Sequence, residues 1–229
     1  MKLMYLGHSC FTIECAGKKI IIDPFIKSNP KFTEAIWRQA RQLDYILLTH
    51  GHSDHIGDTI ELARDSGAIV ISNYEICNWL SAQGISCVDL NMGSTVIEGS
   101  IEITMLPAIH SSSIELDNGE NFYAGLACGY LIKHDSKSVY HAGDTCLFSD
   151  MKLINDLYHP NIGLLPIGGR FTMSVSDAVY ACKNFFTFDV VIPMHYDTFP
   201  PINADPEILK NALSESSVKI LSMGETVNF

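Results

Sequence analysis

The chain has 229 residues, 47% of them hydrophobic and 18% charged, with a mean hydropathy of +0.14. That is enough apolar chain for one large domain, too little charge for a disordered one, and no heptad or Gly-X-Y period runs through it. Fifteen Lys and Arg against 26 Asp and Glu leave a net charge of −11, which repels phosphate backbones and argues against a nucleic-acid partner.

No apolar run approaches the ~18 residues of a membrane span. The opening MKLMYLGHSCFTIE meets polar residues too early for a signal-peptide core. The expected setting is therefore cytoplasmic, with no membrane partner. The seven cysteines, at 10, 15, 77, 87, 128, 146 and 182, form no C-x-x-C pair and read as small buried hydrophobes in a reducing compartment.

Met4-Tyr5-Leu6 and Phe11–Cys15 are strand candidates, and Ala16-Gly17-Lys18 turns the chain into a third strand, Lys19–Asp23, that ends on an acid. A buried strand at Tyr45–Thr49 runs into a histidine cluster. Residues 56–66 read as a helix and Ala68–Ser72 as a core strand. Asn73 then caps a helix over Tyr74–Gln83 that Gly84 ends. Residues 85–109 alternate like several strands, and 111–124 reads as a long loop. A second hairpin, Gly129–Lys133 with Ser138–His141, again leads to an acid, Asp144. Strands at Asn161–Pro166 and Phe188–Met194 enclose a helix at Ser176–Phe186. A helix at Pro206–Ser214 and a strand at Val218–Leu221 close the chain. The two hairpin-then-acid units suggest a single domain, 1–229, of two repeated halves, about 1–115 and 116–229.

The sharpest signal is His50-Gly51-His52-Ser53-Asp54-His55, four candidate ligands within six residues at the end of an apolar strand. In extended chain, side chains at i and i+2 share a face, so His50 and His52 can hold one ion together. As the chain turns into a helix, Asp54 and His55 project elsewhere, towards a second ion. Imidazole with carboxylate suits zinc, manganese or iron, and no cysteine falls in the cluster.

This H-x-H-x-D-H motif after a buried strand resembles the metallo-β-lactamase fold superfamily. Tyr5-Leu6-Gly7-His8-Ser9, Ile22-Asp23-Pro24-Phe25 and the run from Leu165 to Met173 are similar to its stand-alone metal-dependent hydrolases, a branch related to ascorbate-6-phosphate lactonase and to phosphodiesterases of lipid-like substrates. The resemblance spans nearly the whole chain. It implies an α/β fold, a four-layer αββα sandwich of two mixed sheets. It also implies two divalent metal ions, zinc or manganese: His50, His52 and His110 on the first, Asp54, His55 and His195 on the second, and Asp144 bridging both. Such a pair would hold a bridging water as hydroxide, with Asp54 orienting it. His8 would lie beside the metals and serve catalysis with Asp54. Asp23 would orient a histidine. Arg170, on a glycine-rich loop, would bind an anionic group of a small substrate. His134, His141 and His159 match nothing in the pattern and are expected to be structural, and Ser9, Ser53 and Cys10 are assigned no covalent role.

The implied reaction is hydrolysis of a small phosphodiester, lactone or ester by a homo-oligomeric enzyme. A metal-dependent redox enzyme, of iron dioxygenase or oxidase type on the same fold, is the alternative. The flavodiiron type usually has Glu where His52 stands and carries a flavin domain. A secreted β-lactamase, a glyoxalase-type thiolesterase and the large nucleases each need a segment this chain does not offer.

Overall fold

Ile20, Ile21 and Ile22 are all fully buried, as strand residues are when both faces of their sheet are covered. In the computed structural model, which describes residues 1–213 and 218–229, this stretch lies near the middle of a seven-stranded sheet. Strands β1 (Lys2–Gly7), β2 (Cys10–Cys15) and β3 (Lys18–Ile22) form an antiparallel meander. β3 continues parallel to β4 (Tyr45–Leu47), β5 (Ile69–Asn73) and β6 (Cys87–Leu90). Helices α1 (Glu34–Gln39), α2 (Ser53–Ile56), α3 (Thr59–Ser66) and α4 (Tyr74–Ser81) fill the connections. Their apolar faces, among them Trp37, Leu62 and Leu80, pack on Ile21, Ile46 and Val70 of the sheet.

The chain leaves this sheet after Leu90, so β7 (Thr95–Glu98) and β8 (Ile101–Pro107) already belong to the second. A small hairpin, β9 (Ser113–Glu115) with β10 (Asn121–Tyr123), stands apart from both sheets. The second sheet continues with β11 (Cys128–His134) and β12 (Lys137–His141), then β13 (Ile162–Pro166) and β14 (Val190–Met194) in parallel. Helices α5 (Met151–Tyr158), α6 (Val175–Asn184) and α7 (Pro206–Leu213) cover its outer face. Between the sheets, Phe11, Ile20 and Ile22 of the first meet Ile103, Tyr130, Leu164 and Ile192 of the second. The layers are thus αββα, a metallo-β-lactamase fold with two mixed sheets. No helix among the described residues is long and apolar enough to cross a membrane.

Several local expectations are corrected. The closing strand is β15 (Thr226–Asn228), which pairs with β1, whereas Val218–Leu221 contributes only a bridge from Val218 to Val191. Residue 214 of the expected last helix lies outside the described residues. The expected loop 111–124 contains the β9–β10 hairpin, whose three-residue strands are too short for alternation to register. Two α-helices among the described residues were not anticipated. α1 spans six residues, and its one sequence signal is Thr33, whose side chain accepts the Ile36 N–H at 3.3 Å. α5 is followed by His159 in the left-handed region rather than by glycine.

The expected helix 56–66 is broken at Gly57, which has φ +42° and presses on the next loop: a Cβ there would stand 2.8 Å from the Phe25 Cα. That break sets the direction of α2, the helix carrying Asp54 and His55. Gly57→Val should therefore lower stability by about 2 kcal/mol or more, read as a drop in the denaturant midpoint. An unchanged midpoint would contradict this account of the turn.

Candidate metal centre

The ends of six strands converge on one edge of the sandwich. His8 follows β1, Asp23 follows β3, Thr49 to His55 follow β4, His110 follows β8, Asp144 follows β12 and His195 follows β14. Parallel strands send their C-termini to the same edge, and in open α/β sheets that edge is where sites collect.

Asp23 organises the first part of the cluster. Fully buried, its Oδ1 accepts the Thr49 N–H at 2.8 Å, and its Oδ2 accepts the Thr49 hydroxyl at 2.7 Å and the His55 Nδ1–H at 2.7 Å. A carboxylate can only accept, so His55 keeps a proton on Nδ1, and Nε2 is the atom left to face Asp144 and a metal. The Thr49 hydroxyl, already donating to Asp23, accepts from His50 Nδ1 at 3.0 Å. His50 is thereby fixed in the same tautomer, with its Nε2 lone pair turned to the cluster, 2.9 Å from His52 Nδ1. Outer partners of this kind orient imidazole ligands.

The donor atoms fall into three groups, each within 4.8 Å: His50, His52 and His110; His8, Asp54, His55 and His195; and His50, His55 and Asp144. The structure thus brings together every residue expected to hold metal. Asp144, 3% exposed, stands between the groups. Its Oδ1 lies 3.4 Å from His55 Nε2, and its Oδ2 lies 2.9 Å from His195 Nε2 and 3.6 Å from His110 Nε2. His55 Nε2 and Asp144 Oδ1 are buried without a hydrogen-bond partner. Orphaned buried polar atoms are costly; a divalent cation between them would satisfy both. The residues fit a metal.

Electrostatics point the same way. Burial opposes a proton on His55, yet Asp144, Asp23 and Asp54 together push its pKa well above the ordinary imidazole value. Burial also opposes charge on Asp144, but His55 and His195 hold its carboxyl well below the usual range. A site that attracts a proton so strongly attracts a cation in its place. His50, in contrast, is pushed well below its ordinary value, chiefly by burial and then by neighbouring His55.

His8 is buried beside this nest, at φ +55°. Its Nε2 lies 3.1 Å from Asp54 Oδ2 and its Nδ1 2.9 Å from the Thr198 hydroxyl. Burial, against a smaller pull from Asp54, lowers its pKa to about 4. The neutral ring therefore donates Nε2–H to Asp54 and accepts from Thr198. Arg170 is not part of the cluster. It is exposed, 5.4 Å from the Phe171 ring, and makes no ion pair among the described residues. Its loop, however, borders the cluster: the Met173 N–H donates to the Thr145 carbonyl at 2.8 Å, next to Asp144.

Two supporting residues escaped the sequence, and a third was expected only to be structural. Thr49 links Asp23 to His50, and its one signal is its place directly before the motif. Thr198 orients His8 from 190 residues away. His141, expected to be structural, is fully buried; it accepts the Gly143 N–H at 3.1 Å and donates to the Ser9 carbonyl at 2.9 Å. It ties the turn after His8 to the loop carrying Asp144. His134 and His159 lie away from the cluster, on the β11–β12 hairpin and at the end of α5.

An αββα sandwich with a buried nest of histidines and aspartates at one edge defines a metallo-β-lactamase-like scaffold. The family model described as Beta-lactamase superfamily domain matches residues 18–196. The chain is 45% identical over 234 residues to the UPF0173 metal-dependent hydrolase Atu1317 of Agrobacterium fabrum, with 100% of each covered. It is 43% identical over 231 residues to the UPF0173 metal-dependent hydrolase MK1542 of Methanopyrus kandleri, with 99% of each covered. Igni18, a metallo hydrolase from the archaeon Ignicoccus hospitalis, superposes with a TM-score of 0.89 at 39% identity, over 100% of this chain and 97% of that one. This chain belongs to the β-lactamase superfamily, among its metal-dependent hydrolases.

Proposed function

We propose that the enzyme is a dinuclear hydrolase of a small anionic phosphodiester, lactone or ester. The observation that carries this reading is Asp144: its two carboxylate oxygens face different histidines and join two donor groups. His50, His52 and His110 would hold one ion, Asp54, His55 and His195 the other, and Asp144 both, with zinc or manganese suited to the donors. Bound ions would supply the charge that polarises a phosphoryl or carbonyl oxygen and would lower the pKa of the attacking water.

The chain's own residues do the rest. His8 donates to Asp54 Oδ2 and so holds that carboxylate in one orientation. Asp54 would orient the attacking water by accepting a hydrogen bond from it; burial resists its charge, but His55 and His8 keep it ionised well below the ordinary carboxylate range. Arg170, without a carboxylate partner, is available to an anionic substrate group arriving beside Asp144 and His195. The resemblance extends the proposal to a homo-oligomer, whose mass light scattering measures directly.

The test is hydrolysis of bis-p-nitrophenyl phosphate by protein loaded in turn with manganese and zinc, with Asp54→Ala beside it. Wild type should release p-nitrophenol, and the variant should be slower by about 10²-fold or more. If neither cleaves, the phosphodiester assignment falls and lactones or esters take its place.

A further inference from the structure

A cleft of about 790 Å³ opens between the α2–α4 side of the first sheet and the β9–β10 hairpin. Gly51 and Ser53, which flank His52 in the chain, form part of its wall. The hairpin sits directly on the histidine motif. The Gly51 N–H donates to Ser112 Oγ at 3.1 Å, Ser112 Oγ donates to the Ala124 carbonyl at 2.9 Å, and a Cβ on Gly51 would stand 2.5 Å from that of Ala124. The cleft therefore abuts the loop that presents His50 and His52, through Gly51 and Ser53 and not through the histidines themselves.

Ile60, Trp79, Ile114 and Leu116 give it an apolar patch, beside the uncharged polar Ser28, Gln83 and Asn118. Ile60, Trp79 and Leu116 are only half-buried, so apolar surface remains to be covered. The charged side chains at its margin are Glu115 and Asp117, both exposed, and no lysine or arginine lines it among the described residues. An anion entering here would meet two carboxylates and no cation. Arg170 lies on a different loop, against the segment that follows Asp144.

We infer that this cleft binds an uncharged alkyl or aryl group of the substrate, so that the enzyme takes amphiphilic substrates whose apolar group projects away from Arg170. The inference rests on the hydrolase reading above and names its substrate class. Trp79 is one of two tryptophans, and the other, Trp37, is 7% exposed in the core under α1, so Trp79 emission reports on the cleft.

The experiment titrates the metal-loaded full chain with 1-octanol, ethanol and octyl sulfate while following tryptophan emission. Octanol should give a saturable shift, ethanol none, and octyl sulfate binding weaker by about tenfold or more. Leu116→Asp should weaken octanol binding by a similar factor. Leu116 sits half-exposed in the short hairpin, and circular dichroism confirms that the variant folds. Should it fail to fold, the double variant Glu115→Lys and Asp117→Lys, at exposed positions, should bring octyl sulfate affinity up to that of octanol. No saturable octanol shift, or octyl sulfate binding as tightly as octanol in wild type, would overturn the inference. Because binding needs no turnover, failure to cleave bis-p-nitrophenyl phosphate with octanol binding intact would count against the phosphodiester assignment and for the cleft.

Discussion

Asp144→Ala is expected to abolish hydrolysis and metal-dependent stabilisation together. The carboxylate is buried, within 3.6 Å of imidazole nitrogens on His55, His110 and His195, and its donor atom groups with His50 of one set and His55 of the other. Truncating it removes the carboxylate that the histidines share and leaves Asp54 alone among them to balance the divalent charge. Loss of partners merely hydrogen-bonded to ligands already costs about 10–100-fold in metal affinity, so loss of this residue should cost more than about 10²-fold in kcat/KM. In wild type, metal at 100 times its Kd should raise stability by about 2.7 kcal/mol. The variant should show no such rise in Tm on adding manganese. A variant that keeps both the shift and the rate would refute the assignment of Asp144.

The second large effect is expected from Asp23→Asn, although Asp23 would touch no metal. The position has φ +46°, a conformation that Asn tolerates as well as Asp does, so the backbone should stay. The change lies in hydrogen bonding. Asp23 Oδ2 now takes protons from both the Thr49 hydroxyl and His55 Nδ1. An amide nitrogen there would donate instead, and the neutral His55 would have to move its proton to Nε2, the atom facing Asp144. The lone pair that should bind metal would then be lost. Metal affinity should fall about 10–100-fold, and stability by about 1–3 kcal/mol for the mismatched buried bonds. Competition with a chelator measures the first and urea unfolding the second. Unchanged zinc affinity with a normal fold would show that Asp23 does not set the tautomer.

Much of this centre was legible because its densest part is local. Four of its polar residues lie within six positions, at the end of a strand whose burial is plain from Tyr45-Ile46-Leu47-Leu48. Asp23 and Asp144 were visible as acids closing two hairpins. The distant members, His110 and His195, owed their place to the family resemblance, since a lone histidine after a strand carries little weight. What could not be seen depends on contacts across the chain. Thr198 meets His8, and His141 meets the Ser9 carbonyl, over separations of 190 and 132 residues, and neither pairing leaves a pattern in sequence. The helices α1 and α5 were missed for different reasons. α1 has fewer than two turns, and α5 exposes Leu153 and Leu157 at 54% and 63%, which blurs its apolar face. The strand at Thr226–Asn228 is three residues at an edge, where only the pairing with β1 defines it.

The most direct test of the central claim is the metal content of the purified chain, reconstituted with zinc or manganese, dialysed and counted by plasma mass spectrometry beside Asp144→Ala. The account predicts two ions per wild-type chain and a large loss in the variant. One ion per chain, or an Asp144→Ala protein that retains both, would contradict it.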